Sequence, residues 1–352
     1  LVWGSDKVKG KDQYLLGAQD HGTFLSNKDF DASDTSMYKA QLGGDGFEVL
    51  THFTDPLKMF AGSQNNNTAR SLDGGETWYT VPGIPDYRNG PFNSQYETSY
   101  QDPDVVYSIS RSGVGRSNDW GTSWTNTQIT GANWGNLLSY HDVKVSRANP
   151  RFVWAGGFMG DFADIYVSSD WGETYNPVND FSNMGVISGI YTHPTEDSTA
   201  FILFSFYGFT KIIETNDLGN TWKDISGFGP TCVSVSSKGF PNVAVHSLIV
   251  MPNDPNIIWA GTDIGLVETR DRGNNWHLVE SNLPHVAIMD MKLKDEGQIV
   301  ITTYGRGVWT ATIDDLKDYE PKPAIIPPVI QDAKQVDDEA LYICLLYTSD
   351  AA

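Results

Sequence analysis

The chain has 352 residues and a formal net charge of −20 at neutral pH. This excess of carboxylates argues against a nucleic-acid partner and against docking on anionic lipid, because phosphate binding depends on Lys and Arg. No apolar run approaches the roughly 18 residues that a membrane span requires. Aromatic residues make up 12% of the chain, with 34 Gly and 17 Pro, and this composition favours an all-β protein of short strands and tight turns.

The first predicted unit contains a strand from Gln13 to Gln19 and a second strand that starts at Gly22. The segment before it, Leu1-Val-Trp3, fits either the inner strand of this unit or a strand that closes the last unit. The chain begins with Leu and shows no leader pattern of charged, apolar and small residues. We therefore interpret the sequence as lacking its N-terminal part.

Five copies of one motif follow, with the pattern [ST]-x-D-x-G-x-[TSN]-[WY]. An Asp side chain can cap a tight turn, and the Gly accepts a positive φ without steric cost. The closing aromatic residue offers a large apolar face for packing. The motif therefore predicts a repeated structural turn, and its aspartates are Asp73, Asp119, Asp170, Asp217 and Asp271.

These aspartates are spaced by 46, 51, 47 and 54 residues, and a strand-like run precedes each motif. The last unit has strands from Gln298 to Tyr304 and from Gly307 to Ile313, without the motif and without an evident fourth strand. Seven units of this length predict a seven-bladed β-propeller of four-stranded antiparallel blades. We expect it to occupy residues 1–316.

The character of the chain changes after the last unit. Residues 317–343 form a proline-rich stretch, for which we predict an extended linker. Residues 344–352 resemble a translated sequencing adaptor, and we interpret them as an artefact. Cys232 and Cys344 are the two cysteines, so the sequence predicts no disulfide framework.

The repeated motif resembles the Asp box, or BNR repeat, of sialidase-like β-propellers. The resemblance implies that each box forms the turn between the third and fourth strands of a blade. Ligands would then bind on the opposite face, where the turns between the second and third strands meet those between blades. On that face we place these candidates: His21, Gln64, Arg111, Trp134, His141, Asp142, Asp161, Tyr207, Asp263, Tyr304 and Arg306. The turns between blades also place His246 on this face, but because it follows Val245 in a predicted inner strand, an ordinary hydrogen-bonded core residue is the alternative interpretation.

Two further segments are similar to motifs of secreted BNR-repeat proteins described as glycosyl hydrolases. They are Gly17-Ala-Gln-Asp-His-Gly22 and Gly43-Gly-Asp-Gly-Phe47. His21 stands where that family usually has Asn. The family is similar to sortilin and to xyloglucanases with two propellers. A glycoside hydrolase needs two carboxylates across the scissile bond, and Asp20 and Asp45 are the candidates that start adjacent blades.

Two functions remain compatible with the sequence. One is a secreted or cell-surface glycan-directed module, which could be half of a two-propeller hydrolase. The other is a non-catalytic propeller that binds carbohydrate or peptide, as the resemblance to sortilin implies. A true sialidase is disfavoured because the Arg-Ile-Pro motif is missing. The sequence predicts no cofactor and no bound metal, because no known metal-loop spacing is present.

Overall fold

Short antiparallel strands follow one another along the chain, because apolar and β-branched runs alternate with Gly, Asn, Asp and Pro turns. The computed structural model describes residues 2–27, 37–131, 134, 141–159, 162–178, 187–294, 297–319, 330–337 and 340–345. The strands between Val2 and Thr312 form seven sheets, each built from consecutive strands that pair with their sequence neighbours. We call these sheets blades 1 to 7 and label their strands A to D, with A innermost.

The first four blades each contain four strands. In blade order they are Val2–Lys7, Tyr14–Ala18, Gly22–Ser26 and Tyr38–Leu42; Val49–Thr51, Met59–Gly62, Thr68–Ser71 and Tyr79–Thr80; Tyr96–Thr98, Val106–Ser110, Gly113–Ser117 and Thr125–Gln128; His141–Val145, Val153–Met159, Phe162–Ser168 and Asn176–Pro177.

Blades 5 and 6 also have four strands, and blade 7 has three within the described residues. They are Ile187–Thr192, Ala200–Phe204, Ile212–Thr215 and Lys223–Asp224; Val245–Val250, Ile258–Thr262, Gly265–Thr269 and His277–Leu278; Ile288–Leu293, Gln298–Thr303 and Val308–Thr312. The predicted seven-bladed all-β propeller is confirmed. Val2–Lys7 is strand A of blade 1, which decides between the two placements left open for this segment.

The chain divides into two compact units, Leu1–Lys322 and Pro323–Ala352. In the second unit Ile330–Asp337 pairs antiparallel with Ala340–Leu345. The predicted boundaries of the proline-rich linker and of the artefact stay predictions. The described helices include the 3-10 turns Gln64–Asn66 and Asp314–Leu316, and no described helix is long and apolar enough to cross a bilayer.

The hydrophobic core lies between neighbouring blades, because each sheet buries both of its faces. Between blades 5 and 6, for example, Phe201 and Ile212 pack with Val245, Leu248 and Trp276. Similar clusters join each consecutive pair from blade 1 to blade 7. Each cluster combines side chains from two sheets, so a blade is stabilised by its neighbours.

The junction that closes the ring, between blades 7 and 1, contains specific polar contacts. Asp6 of blade 1 pairs with Lys294, which follows strand A of blade 7, at 2.9 Å. Asp6 also accepts the backbone N–H of Thr51 in blade 2 at 2.7 Å. Tyr14 donates to Gln298 of blade 7 at 3.0 Å. We call these five residues and their contacts the closing seam.

Each of the five Asp boxes lies between strands C and D of blades 2 to 6. In blade 4, Asp170 Oδ1 accepts the Ser168 hydroxyl at 2.7 Å and the Thr174 N–H at 2.9 Å, and Oδ2 accepts the Thr174 hydroxyl at 2.6 Å. The following Gly172 has a φ of 83° and donates its N–H to Ser168. The other four boxes repeat this hydrogen bonding around Asp73, Asp119, Asp217 and Asp271.

Hydrogen bonds also explain the acidity of the boxes. The Thr77 hydroxyl and N–H hold the pKa of Asp73 at about 2, and contacts from Asn275 do the same for Asp271. These carboxylates are therefore charged at any physiological pH and are occupied by the turn they cap. Topology places all five on the opposite face from the turns between strands B and C.

Candidate functional site

The inner strands surround a central channel that widens toward the face opposite the Asp boxes. A cavity of about 320 Å³ lies at this wide end. Its rim includes Trp3, Asn93, Gln95 and His246, and we call it the wide cavity. A volume of this size is at the lower end of the range of small-ligand sites.

The other end of the channel is narrower and holds a space of about 80 Å³. The rings of Phe53 and Tyr100 pack there in a tilted arrangement with centroids 4.3 Å apart, and the Lys294 ammonium lies 4.2 Å from the Phe53 centroid. Arg147 lines the same space and accepts a hydrogen bond from Gln101 through its carbonyl. This end, which we call the narrow end, is thus filled by aromatic and basic side chains.

Between the two ends, a belt of charged side chains crosses the channel. Lys292 of blade 7 pairs with Glu48 of blade 2 and lies 3.5 Å from Asp290. Lys144 of blade 4 lies 3.4 Å from Glu97 and 3.5 Å from Asp142. The Lys292–Glu48 and Lys144–Glu97 pairs each connect two different blades. We call the six side chains the charge belt.

Burial raises the pKa values of Glu48 and Asp142 in the charge belt. It raises the pKa of Glu48 to about 7, although the Lys292 ammonium acts in the opposite direction. Burial also raises the pKa of Asp142 against the attraction of Lys144. For both lysines burial favours the neutral amine, but the adjacent carboxylates outweigh it and raise their pKa values. A carboxyl group that titrates near neutrality in a channel is typical of functional sites.

His246 lies at the rim of the wide cavity and is paired with a carboxylate. Its Nε2 is 2.7 Å from Asp263 Oδ1, and its side chain is 21% exposed. The backbone carbonyl of His246 accepts the Tyr191 hydroxyl at 3.1 Å. Strand A begins at the channel mouth, so the side chain of His246 lies at the rim of the wide cavity, as one of the two interpretations left open for it expected.

The two candidate catalytic residues, Asp20 and Asp45, lie side by side at the junction of blades 1 and 2. Asp45 Oδ1 accepts the backbone N–H of Asp20 at 2.8 Å, and the Asp45 N–H donates to Gln64 at 3.2 Å. Asp20 has a φ of 64°, which a short turn with an Asx contact tolerates. The structure therefore brings these two residues together on the expected face, through a backbone-to-carboxylate hydrogen bond, and their catalytic role stays a prediction.

The other candidates of this face fall into three groups. His21, Arg111, Tyr207, Tyr304 and Arg306 are exposed on turns between strands B and C. Asp142 and His141 begin strand A of blade 4 and line the wide cavity. Trp134 is buried against His141 and donates to the Ser110 carbonyl at 3.1 Å, so its ring packs in the core. Asp161 lies outside the described residues.

The charge belt was not predicted from the sequence, although the spacing of its residues within two inner strands indicates it. Asp142 and Lys144 are two residues apart in strand A of blade 4. Asp290 and Lys292 have the same spacing in strand A of blade 7. Side chains two apart in a strand share one face. Charged residues with period two inside an otherwise apolar inner strand therefore indicate a channel lining.

The comparisons with known proteins agree with the observed fold. A family model described as Sortilin-Vps10, with sortilin and neurotensin receptor 3, matches residues 163–316, which is less than half of the chain. No curated protein matches the sequence.

Solved structures align over most of the chain at low identity. The GH74 xyloglucanase from Xanthomonas campestris aligns with a TM-score of 0.65 and 16% identity, over 88% of this chain and 51% of that chain. This chain therefore spans about half the length of that enzyme.

Two other structures come from different kinds of protein. YCF48 bound to D1 peptide has a TM-score of 0.62 and 14% identity, over 89% of this chain and 93% of that one. The extracellular domain of a B. thetaiotaomicron protein, described as a putative hybrid two-component system, has a TM-score of 0.58 and 12% identity, over 97% of this chain and 44% of that one. At these identities the likeness shows the fold. By fold, the chain is a seven-bladed β-propeller similar to the sortilin and BNR-repeat propellers.

Proposed function

We propose that this propeller is an extracellular or cell-surface module that binds a glycan at its wide cavity. The observation that carries the proposal is the composition of that cavity and its rim. Carboxylates, amides and the Trp3 indole line a space of about 320 Å³ on the face opposite the Asp boxes. Aromatic faces pack against sugar rings, while carboxylate and amide oxygens accept hydrogen bonds from hydroxyl groups.

Exposed aromatic side chains on the same face support this proposal. Tyr207 is 69% exposed on the turn of blade 5, and Tyr304 is 57% exposed on the turn of blade 7. Phe206 and Phe92 are also exposed on this face. These rings provide stacking surfaces around the cavity, where an oligosaccharide could extend beyond it.

The glycan-binding proposal has a direct test with a matched control. We expect titration calorimetry to detect binding of xyloglucan or β-glucan oligosaccharides, and Tyr207→Ala to weaken it about tenfold because a stacking contact is lost. Tyr79→Ala removes an equally exposed ring on an outer strand of blade 2 and should leave the affinity unchanged. Equal losses in both variants, or no binding of any oligosaccharide, would contradict the proposal.

We further propose hydrolysis as the finer form of this function, with Asp20 and Asp45 as the acid and base, within a two-propeller enzyme. The similarity to a xyloglucanase twice as long supports it. Asp45→Asn keeps an oxygen for the Asp20 N–H and removes the charge, so it tests the chemistry with the turn intact. Reducing-sugar release should fall at least about a hundredfold in Asp45→Asn while glycan affinity is retained. Unchanged release would exclude this role.

A non-catalytic peptide-binding propeller is the second candidate. It is supported by the similarity to YCF48, whose structure contains a bound peptide and of which 93% is covered. Peptide binding requires no pair of catalytic carboxylates and uses only the rim of the wide cavity. Screening a random peptide library against the chain, with Tyr207→Ala and Tyr79→Ala as the variant and the control, distinguishes it from glycan binding.

A further inference from the structure

Blade 7 has an open outer edge. Its strand C, Val308–Thr312, pairs with strand B on one side, and no described strand pairs with it on the other. Strand C of blade 6, Gly265–Thr269, is buried along its whole length, whereas every residue of Val308–Thr312 is partly or fully exposed. The described residues that follow do not fill this position, because the chain forms the turn Asp314–Leu316 and packs Leu316 into the cluster between blades 6 and 7.

The direction of the backbone groups at this edge follows from two hydrogen bonds. Gly307 accepts the Thr303 N–H at 3.1 Å, and Ile313 donates its N–H to Gly297 at 2.9 Å. Gly307 and Ile313 therefore face strand B, and so do the odd-numbered residues between them, since neighbouring residues of a strand alternate. The residues whose N–H and C=O groups face outward, where a further strand can bind them, are Val308, Thr310 and Thr312.

The outer edge of blade 7 differs in length and composition from the other described edges. Four blades end in strands of two residues, and the edge of blade 1 contains Lys39. Short strands and charged side chains protect an edge from pairing with another chain. The edge of blade 3, Thr125–Gln128, is entirely polar. Val308–Thr312 has five residues, no charge and no proline, and all but Ala311 are β-branched or aromatic, so it is the described edge best suited to pairing.

The charges at the two ends of this strand favour an antiparallel partner. Arg306 is exposed just before the strand. The exposed charged residues just after it are Asp314, Asp315, Lys317 and Asp318. When two copies pair antiparallel, the start of one strand lies beside the end of the other, so Arg306 of each copy meets the acidic end of its partner. A pair centred on Thr310 aligns the outward-facing residues of both copies and allows about six backbone hydrogen bonds.

We propose that two copies of this chain form a dimer by antiparallel pairing of Val308–Thr312 across a two-fold axis at Thr310. The two sheets of blade 7 then form one continuous sheet. Strand C runs from the face of the wide cavity to the face of the Asp boxes, so antiparallel pairing directs the two wide cavities to opposite sides of the dimer. The inference goes beyond the proposed function and does not depend on it, because no residue that lines the wide cavity takes part.

Sedimentation velocity of the unmodified chain tests the dimer, under reducing conditions that remove any disulfide through the exposed Cys232. Between about 1 and 100 µM protein we expect a reversible monomer–dimer equilibrium with a Kd on the order of 10 µM, as for other small interfaces. Thr310→Lys should raise the Kd at least about tenfold, because two ammonium groups would lie opposite each other at the two-fold axis. Thr125→Lys makes the same substitution on the edge of blade 3 and should leave the Kd unchanged.

Charge reversal tests the antiparallel register without altering the strand itself. Arg306→Asp should raise the Kd about fivefold, and the double variant Arg306→Asp with Asp314→Arg should restore it, because opposite charges meet again. A chain that stays monomeric at the highest concentration overturns the inference. A dimer that Thr310→Lys and Thr125→Lys weaken equally, or that the double variant does not restore, also overturns it. Restoration requires a folded chain, so this comparison decides the question even if Thr310→Lys does not fold.

Discussion

At the scale of single residues, carboxyl groups have different environments and different pKa values in the Asp-box turns and in the channel. The Asp-box carboxylates accept several local hydrogen bonds each, which lowers the pKa of Asp73 to about 2. Glu48 lies in the channel, where burial raises its pKa to about 7. The repeated acids therefore contribute to structure, while the raised pKa of Glu48 is of the kind expected at a binding site.

The box hydrogen bonds predict a measurable loss of stability. Asp170→Ala removes three contacts from Ser168 and Thr174, so we expect unfolding free energy to fall by about 1–3 kcal/mol. Glu173→Gln in the same turn changes the charge equally and should shift it by less than about 0.5 kcal/mol. Urea denaturation of both variants provides the measurement. Similar values for the two would show that the Asp170 carboxylate has no special role in the turn.

Glu48 predicts the pH dependence of stability. Its pKa is about 7 in the folded state and near 4.5 in the unfolded state, so the folded state binds the proton more tightly. Its contribution is therefore most favourable at low pH and declines as the pH rises from about 4.5 to 7. Glu48→Gln should abolish this decline. Thermal unfolding across that pH window, compared between the variant and the unmodified chain, would contradict the assignment if the two curves run parallel.

At the scale of elements, the ring depends on contacts between blades, and the closing seam contains a buried ion pair, Asp6–Lys294. Apolar clusters join consecutive blades, while Asp6, Lys294 and Tyr14 provide specific polar contacts where blade 7 meets blade 1. Blade 7 has no Asp box and has three strands within the described residues. The buried Asp6–Lys294 pair is thus well placed to determine whether the ring closes.

Removing one partner of this pair should be strongly destabilising. Lys294→Met leaves the buried Asp6 carboxylate with its backbone contact and no cation, and we expect a loss of about 3–5 kcal/mol. Replacing both residues, as Asp6→Asn with Lys294→Met, should recover part of that loss. Denaturant unfolding of the single and double variants measures the coupling. Additive effects would show that the pair does not act as a unit.

At the scale of the whole molecule, the repeats allowed the fold to be predicted, while the site could be predicted only in part. Five boxes with regular spacing mark blades 2 to 6 directly, and the strand predicted from Gln298 to Tyr304 is observed as Gln298–Thr303. The face opposite the boxes follows from strand topology alone, so the positions of Asp20, Tyr207 and Tyr304 were also predictable.

The charge belt could not be derived in the same way, because it depends on distances across the ring. Lys292 and Glu48 are far apart in sequence and meet only when seven sheets close around a channel. Trp134 is a second example. The sequence placed this residue on the ligand-binding face, but its indole packs in the core beside His141. Whether an aromatic residue of a connecting segment is buried depends on the packing between blades, which no local sequence pattern predicts.

The central claim is that ligands bind at the wide cavity, away from the Asp boxes. Hydroxyl-radical footprinting, with and without a saturating oligosaccharide, tests it most directly. If ligands bind at the wide cavity, oxidation of Trp3, Tyr207 and Tyr304 falls on binding, while oxidation of the exposed Tyr79 on the outer edge is unchanged. Protection of Tyr79, with Trp3 and Tyr207 oxidised as before, would show that ligands bind elsewhere.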